Sequence, residues 1–229
     1  MPNWTWNRVA CRKELGDKLL TKTEKGYSLD FNKIKKMPEE LDIESGSRGQ
    51  EGLMYLYIKS KDAKEKRTIN KAYRELNMFF NDIYREKRFG MIEEEIGKYD
   101  NDPKFEESIE LGKQYLNNYK KYGHCTWYNW CVENWGTKWN VLEDVQVEFD
   151  EQNQEYIICF DTAWDPPRGI IREFADMCID EDDFNWEYEN EDYDGHHTLI
   201  LQNGVIYDEI LDEEEEQEVN IEEGVEAIC

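Results

Sequence analysis

Residues 145–178 read VQVEFDEQNQEYIICFDTAWDPPRGIIREFADMC, and their patterning decides the fold class. Val145, Val147 and Phe149 alternate with Gln146, Glu148 and Asp150, the period of a strand with one buried face. Residues 156–161 supply a second strand across a Gln152-Asn153 turn, so the pair predicts a hairpin. Asp165 ahead of Pro166 and Pro167 then marks a helix start with Asp165 as N-cap, and Ile170, Ile171, Phe174 and Met177 give that helix one apolar face to about Cys178.

The pattern continues toward the C-terminus. Phe184, Trp186 and Tyr188 alternate in a further strand, and residues 198–202 and 205–210 flank Asn203-Gly204, a dipeptide suited to a turn whose two central residues need positive φ. The second half of the chain therefore reads β-β-α-β-β-β. Toward the N-terminus, Trp4, Trp6, Arg8 and Ala10 alternate with Thr5, Asn7, Val9 and Cys11 as a first strand. A helix over residues 12–22 follows, carrying Leu15 and Leu19, then a short strand over 27–31 and a turn-rich loop over 45–50. The apolar run 53–58 is too short to assign by periodicity.

Between these parts the period is helical. Ile69, Tyr73, Leu76, Phe80 and Ile83 are spaced four, three, four and three, which predicts a helix from Ile69 to about Lys87. Asp102-Pro103 opens a second helix with Phe105, Ile109, Gly112, Leu116 and Tyr119 on one stripe, expected to pack on the first. The fold class is α+β: residues 1–30 and 141–211 form an antiparallel sheet with helices on one face, residues 31–140 are a mostly helical insertion, and 212–229 are an acidic tail.

The chain has 229 residues, 39% hydrophobic and 14% aromatic, enough apolar material for a packed core and far from a disordered composition. No apolar run approaches the roughly 20 residues of a membrane helix, and Met1-Pro2-Asn3-Trp4 lacks the basic and apolar regions of a secretory signal, so a cytoplasmic, non-membrane protein is expected. The net charge of −25 is lopsided: residues 1–121 hold 25 basic and 22 acidic side chains, residues 122–229 hold 3 and 31. A surface this acidic repels phosphates, so no direct DNA binding is expected, and a charged partner should be basic. A solvated acidic surface without a partner is the plain alternative.

Sites of chemistry are sparse. His124, Cys125, Cys131, His196 and His197 are metal-ligand types, but no CxxC or HxxxH spacing groups them, so no metal site is assigned. The six cysteines suggest free thiols rather than a disulfide framework. Asn190, Asp192, Asp194 and Gly195 imitate the start of a calcium loop, yet its twelfth position is Leu201, which marks a turn. No nucleotide-binding or nucleophile motif is present, so no catalytic residue and no cofactor are assigned. Trp127, Trp130, Trp135 and Trp139 fall within 13 residues; with Lys138 as the sole nearby cation they suit a buried anchor better than base stacking.

Four segments carry a family resemblance: 1–8, 31–41, 127–140 and 160–167. They resemble the YubB-type family of plasmid- and phage-borne proteins with a ferredoxin-like C-terminal domain. The resemblance rests most on Trp127, Trp130, Asn134, Trp135, Gly136, Lys138, Trp139, Asp161, Trp164 and Pro166, read as structural. It implies a ferredoxin-like sheet and a phage or plasmid setting, and it brings no catalytic residue. In that setting the charge points to an inhibitor of a host defence or restriction nuclease that mimics nucleic acid on a basic surface, acting in the host cytoplasm through protein–protein contact.

The expected partner-binding residues are Asp180, Glu181, Asp182, Asp183, Glu187, Glu189, Glu191, Asp192 and Asp194, held along a rigid sheet edge. The alternative is RNA or nucleotide binding by a basic helical stripe, Lys64, Arg67, Lys71 and Arg74, whose spacings of three, four and three place them on one face. Lys61, Lys66, Arg85, Lys87 and Arg88 add to the positive charge of that region.

Overall fold

The computed structural model describes residues 3–24, 26–76, 90, 93–94, 100, 102–142, 145–191 and 195–211. In chain order its main elements are β1 (Trp4–Arg12), α1 (Lys13–Leu19), β2 (Leu20–Thr23), β3 (Gly26–Leu29), α2 (Ser47–Lys59), α3 (Ala63–Leu76), α4 (Pro103–Tyr122), α5 (Trp127–Asn134), β4 (Gln146–Asp150), β5 (Glu155–Ala163), α6 (Arg168–Met177), β6 (Asn185–Asn190), β7 (His196–Gln202) and β8 (Val205–Leu211). The chain divides into two compact units, residues 1–36 with 131–229, and residues 37–130.

The first unit is an α+β sheet. Its six strands run in the order β4-β5-β1-β6-β7-β8, with every neighbouring pair antiparallel. With α1 after β1 and α6 between β5 and β6, the strands β1, β4, β5 and β6 follow a ferredoxin-like β-α-β-β-α-β order, extended by β7 and β8. Period-two alternation sorts the side chains. Thr5, Asn7, Val9 and Cys11 of β1, Tyr156, Ile158 and Phe160 of β5, and Trp186 and Tyr188 of β6 are buried on one face. Both helices lie there: Phe174 of α6 meets Trp186 at 5.5 Å between ring centroids, and Gly16 of α1 sits so close to the Tyr156 ring that a Cβ would fall 2.2 Å from it. Asn7 is the polar centre of this core. Its amide donates to the Thr5 carbonyl at 2.9 Å and to Thr162 Oγ1 at 3.0 Å, and its oxygen accepts from Trp186 Nε1 at 3.2 Å, so its polar atoms are matched inside the apolar layer.

Several sequence expectations need correction. The helix expected over 12–22 ends at Leu19, because Leu20 turns into the small β2-β3 hairpin. Asp165 is not the N-cap of α6: Pro167 holds that position, and the first free N–H groups, of Gly169 and Ile170, donate to the Trp135 carbonyl at 3.1 and 3.3 Å. Residues 31–36 and 131–140 belong to the sheet unit rather than to the insertion. Phe31 is fully buried, 5.8 Å from the Trp135 ring and 6.0 Å from Phe160, and its N–H donates to Asn140 Oδ1 at 2.9 Å.

The second unit is helical around Leu53, Met54, Ile69, Ala72, Tyr73, Tyr115, Leu116 and Cys125. The loop expected at 45–50 and the unassigned run 53–58 are largely one helix, α2. Its Gly49 and Gly52 are there for close packing, since a Cβ on Gly52 would lie 1.8 Å from the Ser108 carbonyl oxygen of α4 and one on Gly112 would lie 2.4 Å from the Gly52 backbone. The principal partner of α4 is therefore α2 rather than the helix containing Ile69. That helix, α3, begins at Ala63, earlier than its apolar stripe; Phe80, Ile83 and the rest of 77–89 lie outside the described residues.

Candidate functional site

Since α1 and α6 both occupy the inner face, the outer face of the sheet is left half exposed. It carries Trp4, Trp6 and Arg8 from β1, Ile157, Cys159 and Asp161 from β5, Glu148 from β4, Glu187 and Glu189 from β6, His196 and Ile200 from β7, and Tyr207 and Glu209 from β8. Apolar and charged side chains are interspersed on it: Trp4, Trp6 and Ile157 stand among Arg8, Asp161, Glu187 and Glu189 on the central strands, with Glu148 on β4 and Tyr207 and Glu209 on β8. The β1 arginines of this face are tied to carboxylates: Arg8 Nη1 to Glu187 Oε1 at 2.9 Å, and Arg12 to Asp183 and Asp180. The acidic excess also follows the division of the chain. Residues 1–36 with 131–229 hold 12 basic and 35 acidic side chains, net −23, against 16 and 18 on residues 37–130.

The acidic array expected to bind a partner is placed differently from the expectation. Strand β6 is no edge; it lies between β1 and β7, because residues 196–211 pair beyond it. Phe184, Trp186 and Tyr188 are buried, as the alternation requires, while Glu187 and Glu189 emerge on the outer face. Most of the carboxylates are engaged within the fold. Asp180 and Asp183 close a reciprocal capping box, Glu181 Oε1 accepts from Gly204 N at 3.0 Å, Glu189 Oε1 meets His196 Nδ1 at 2.7 Å, and Glu191 Oε2 accepts from Trp4 N at 2.8 Å. Asp182 lies in the 3-10 turn Glu181–Asp183, and Asp192 and Asp194 lie outside the described residues. Carboxylates that cap turns and pair with arginines hold the sheet unit together, while Glu148, Asp161 and Glu209 are exposed on the outer face.

The tryptophan-rich segment splits between the two units. Trp130 is buried in the helical unit and Trp127 is half buried there, its ring 5.6 Å from Tyr128. In the sheet unit Trp135 is buried and donates from Nε1 to the Lys35 carbonyl at 2.9 Å. Gly136, at φ +87, passes so near α6 that a Cβ would fall 2.5 Å from Arg168 N, and a Cβ on Gly169 would fall 2.0 Å from the Asn134 carbonyl oxygen. Pro166 is buried. These residues are structural. Lys138, Trp139 and Trp164 differ: Lys138 Nζ stands 4.3 Å from the Trp139 ring centroid and 5.0 Å from that of Trp164, and Trp164 is 44% exposed.

One cluster escaped the sequence reading. Tyr188 donates from its hydroxyl to Asp208 Oδ2 at 2.7 Å, His197 Nδ1 meets Asp208 Oδ1 at 2.8 Å, and the two rings stack at 4.3 Å. Arg168 Nη2 reaches the Tyr188 hydroxyl at 3.3 Å, and burial pushes that phenol up to about 12. The signal was available only as alternation in β7, which puts His197 rather than His196 on the inner face. The other candidate ligands are also absorbed. His124 Nδ1 lies 3.2 Å from Glu75 Oε1, and burial pushes the Cys125 thiol well up. Among the described residues no three His, Cys, Asp or Glu side chains converge as metal ligands.

In the helical unit Lys64, Arg67, Lys71 and Arg74 are all exposed along α3, opposite the buried Ile69, Ala72 and Tyr73. The stripe read from the spacing is therefore a stripe in the fold. Arg85, Lys87 and Arg88 lie outside the described residues. No helix among the described residues is long and apolar enough to cross a membrane.

No family model matches the chain, and no curated protein matches it. Among solved structures it is similar to a protein api92 from Yersinia pseudotuberculosis, of family model DUF1281, at 9% sequence identity over 93% of this chain and 99% of that chain, with a TM-score of 0.38.

Proposed function

We propose that the chain is an acidic interaction protein that receives a basic, nucleic-acid-binding protein on the outer face of its sheet. What supports the reading is one observation: the sheet unit carries a net charge of −23, and its face opposite α1 and α6 mixes aromatic and aliphatic side chains with exposed carboxylates, with both β1 arginines already neutralised by Glu187 and Asp183. Such a surface attracts a cationic partner over a Debye length and offers apolar area once contact is made. In the phage or plasmid setting implied by the YubB-type resemblance, the partner is a host defence or restriction nuclease. The carboxylates occupy the channel where phosphates would sit, in the host cytoplasm.

The test is a titration with a hexa-arginine peptide and, separately, with a short DNA duplex, followed by tryptophan fluorescence. The peptide is expected to bind with an affinity that falls steeply with salt, and the duplex is expected not to bind at physiological salt. Duplex binding without peptide binding would overturn the reading.

A second reading is favoured by the α3 stripe, whose four cations share one exposed helix face. On that reading the helical unit holds RNA through backbone phosphates. Tight RNA binding that disappears on reversing the charges at 64, 67, 71 and 74 would favour it over the first.

A further inference from the structure

Trp164 is held in a backbone conformation that only its surroundings make tolerable. Its φ is +76, in the left-handed region that side chains other than glycine seldom enter. The conformation is fixed from several sides: Trp164 N donates to the Asn3 carbonyl at 2.8 Å, Thr137 Oγ1 donates to the Ala163 carbonyl at 2.9 Å, and Thr162 Oγ1 donates to the Asp165 carbonyl at 2.9 Å. Core burial does not repay this strain, because the side chain is 44% exposed. A strained backbone that presents a large ring to solvent is the combination found at recognition sites.

The neighbourhood says what the ring recognises. The Lys138 ammonium stands over Trp139 at 4.3 Å and over Trp164 at 5.0 Å, and Trp4 lies 6.3 Å from Trp139, tilted by 38°. Two indoles already hold one cation, so the pair is suited to positive charge by construction. Exposed Asp161 and Asp165 flank Trp164 in the chain and add negative potential. We infer that Trp139 and Trp164 form a seat for an arginine side chain of the basic partner, with Lys138 as the resident cation that the incoming guanidinium displaces. This rests on the proposed interaction role and names its anchor. A guanidinium is favoured over a second ammonium because it is planar, weakly hydrated and stacks on an indole, whereas a lysine would only replace like with like.

The experiment compares hexa-arginine, hexa-lysine and hexa-citrulline peptides, the last an uncharged isostere of the first, on the full chain and on two variants. Trp164→Gly removes the ring and relieves the positive φ, so it should weaken hexa-arginine binding about tenfold without lowering the melting temperature. Lys138→Met empties the seat and should strengthen hexa-arginine binding. Hexa-lysine should bind more weakly and be indifferent to Trp164→Gly, and hexa-citrulline should not bind. Unchanged hexa-arginine affinity in Trp164→Gly, or weaker binding in Lys138→Met, would overturn the inference. If binding then still falls when exposed carboxylates of the outer face are neutralised, the interaction role stands without this anchor; if no cationic peptide binds the wild type, the interaction role fails and the seat with it.

Discussion

Glu187 stands directly opposite Arg8 across the β1-β6 ladder, and its Oε1 accepts from the Arg8 guanidinium at 2.9 Å. Its other oxygen lies 3.5 Å from His196 Nε2, so one carboxylate lies between a guanidinium and an imidazole on the open face. Replacing Arg8 leaves Glu187 half-buried with only the imidazole beside it. Arg8→Ala is expected to cost about 1 kcal/mol in a denaturant titration, the scale of a partly screened ion pair. The same change adds net negative charge to the face and should speed association with a cationic peptide.

Gly52 makes the approach of α2 to α4 possible. A methyl group there would stand 1.8 Å from the Ser108 carbonyl oxygen, so the two helix backbones must part. Gly52→Ala is expected to destabilise the protein by about 2 kcal/mol, outweighing the gain of up to about 1 kcal/mol in helix propensity. Chemical denaturation of the purified variant checks this; a stabilised variant would show that the helices have room.

Burial pushes the phenols of Tyr115 and Tyr188 from the ordinary 10.0 up to about 12, with the hydrogen bond to Asp208 adding to the effect at Tyr188. A raised folded-state value means that the unfolded chain gives up these protons first. The stability they contribute is complete below about pH 10 and is lost as pH rises toward 12. Phenolate absorbance should therefore show Tyr115 and Tyr188 among the tyrosines that titrate late, together with the loss of near-UV circular dichroism. Early ionisation of all the tyrosines in a still-folded protein would contradict it.

The α3 stripe permits a clean separation of the two functional readings. Lys64, Arg67, Lys71 and Arg74 are exposed and none of them is a member of the buried helical core, so folding should be retained when their charges are reversed. Binding of hexa-arginine should be unchanged or slightly stronger, as measured by fluorescence titration. Weakened peptide binding would mean that the stripe takes part in the interaction.

The sheet was legible because its strands alternate and its turns use Gln152-Asn153 and Asn203-Gly204; the latter pair takes φ of +54 and +73. What alternation leaves open is which face is buried. Trp4 and Trp6 look like core by size, yet Thr5 and Asn7 are the inward residues, since the buried hydrogen bonds of Asn7 to Thr162 and Trp186 join strands far apart in sequence. Glycine is ambiguous for a related reason. At Gly49, inside the expected 45–50 loop, it marks helix contact instead of a turn, and only the position of α4 distinguishes the two. The acidic array was visible as composition, but its engagement was not: the partners of Asp183 and Glu187 are Arg12 and Arg8, some 170 to 180 residues away in the chain. The Tyr188, His197 and Asp208 cluster was hidden in the same way by the pairing of β7 with β8.

The most direct test of the account is the association rate of hexa-arginine, measured by stopped-flow fluorescence across a range of salt. It compares the wild type with a variant carrying Glu148→Gln, Asp161→Asn and Glu209→Gln, the exposed acids of the outer face. The account predicts slower association in the variant and a flatter dependence on salt, with little change when residues 212–229 are removed instead. Wild-type rates in the triple variant, or binding lost only on removing 212–229, would contradict the claim that the outer face of the sheet meets the partner.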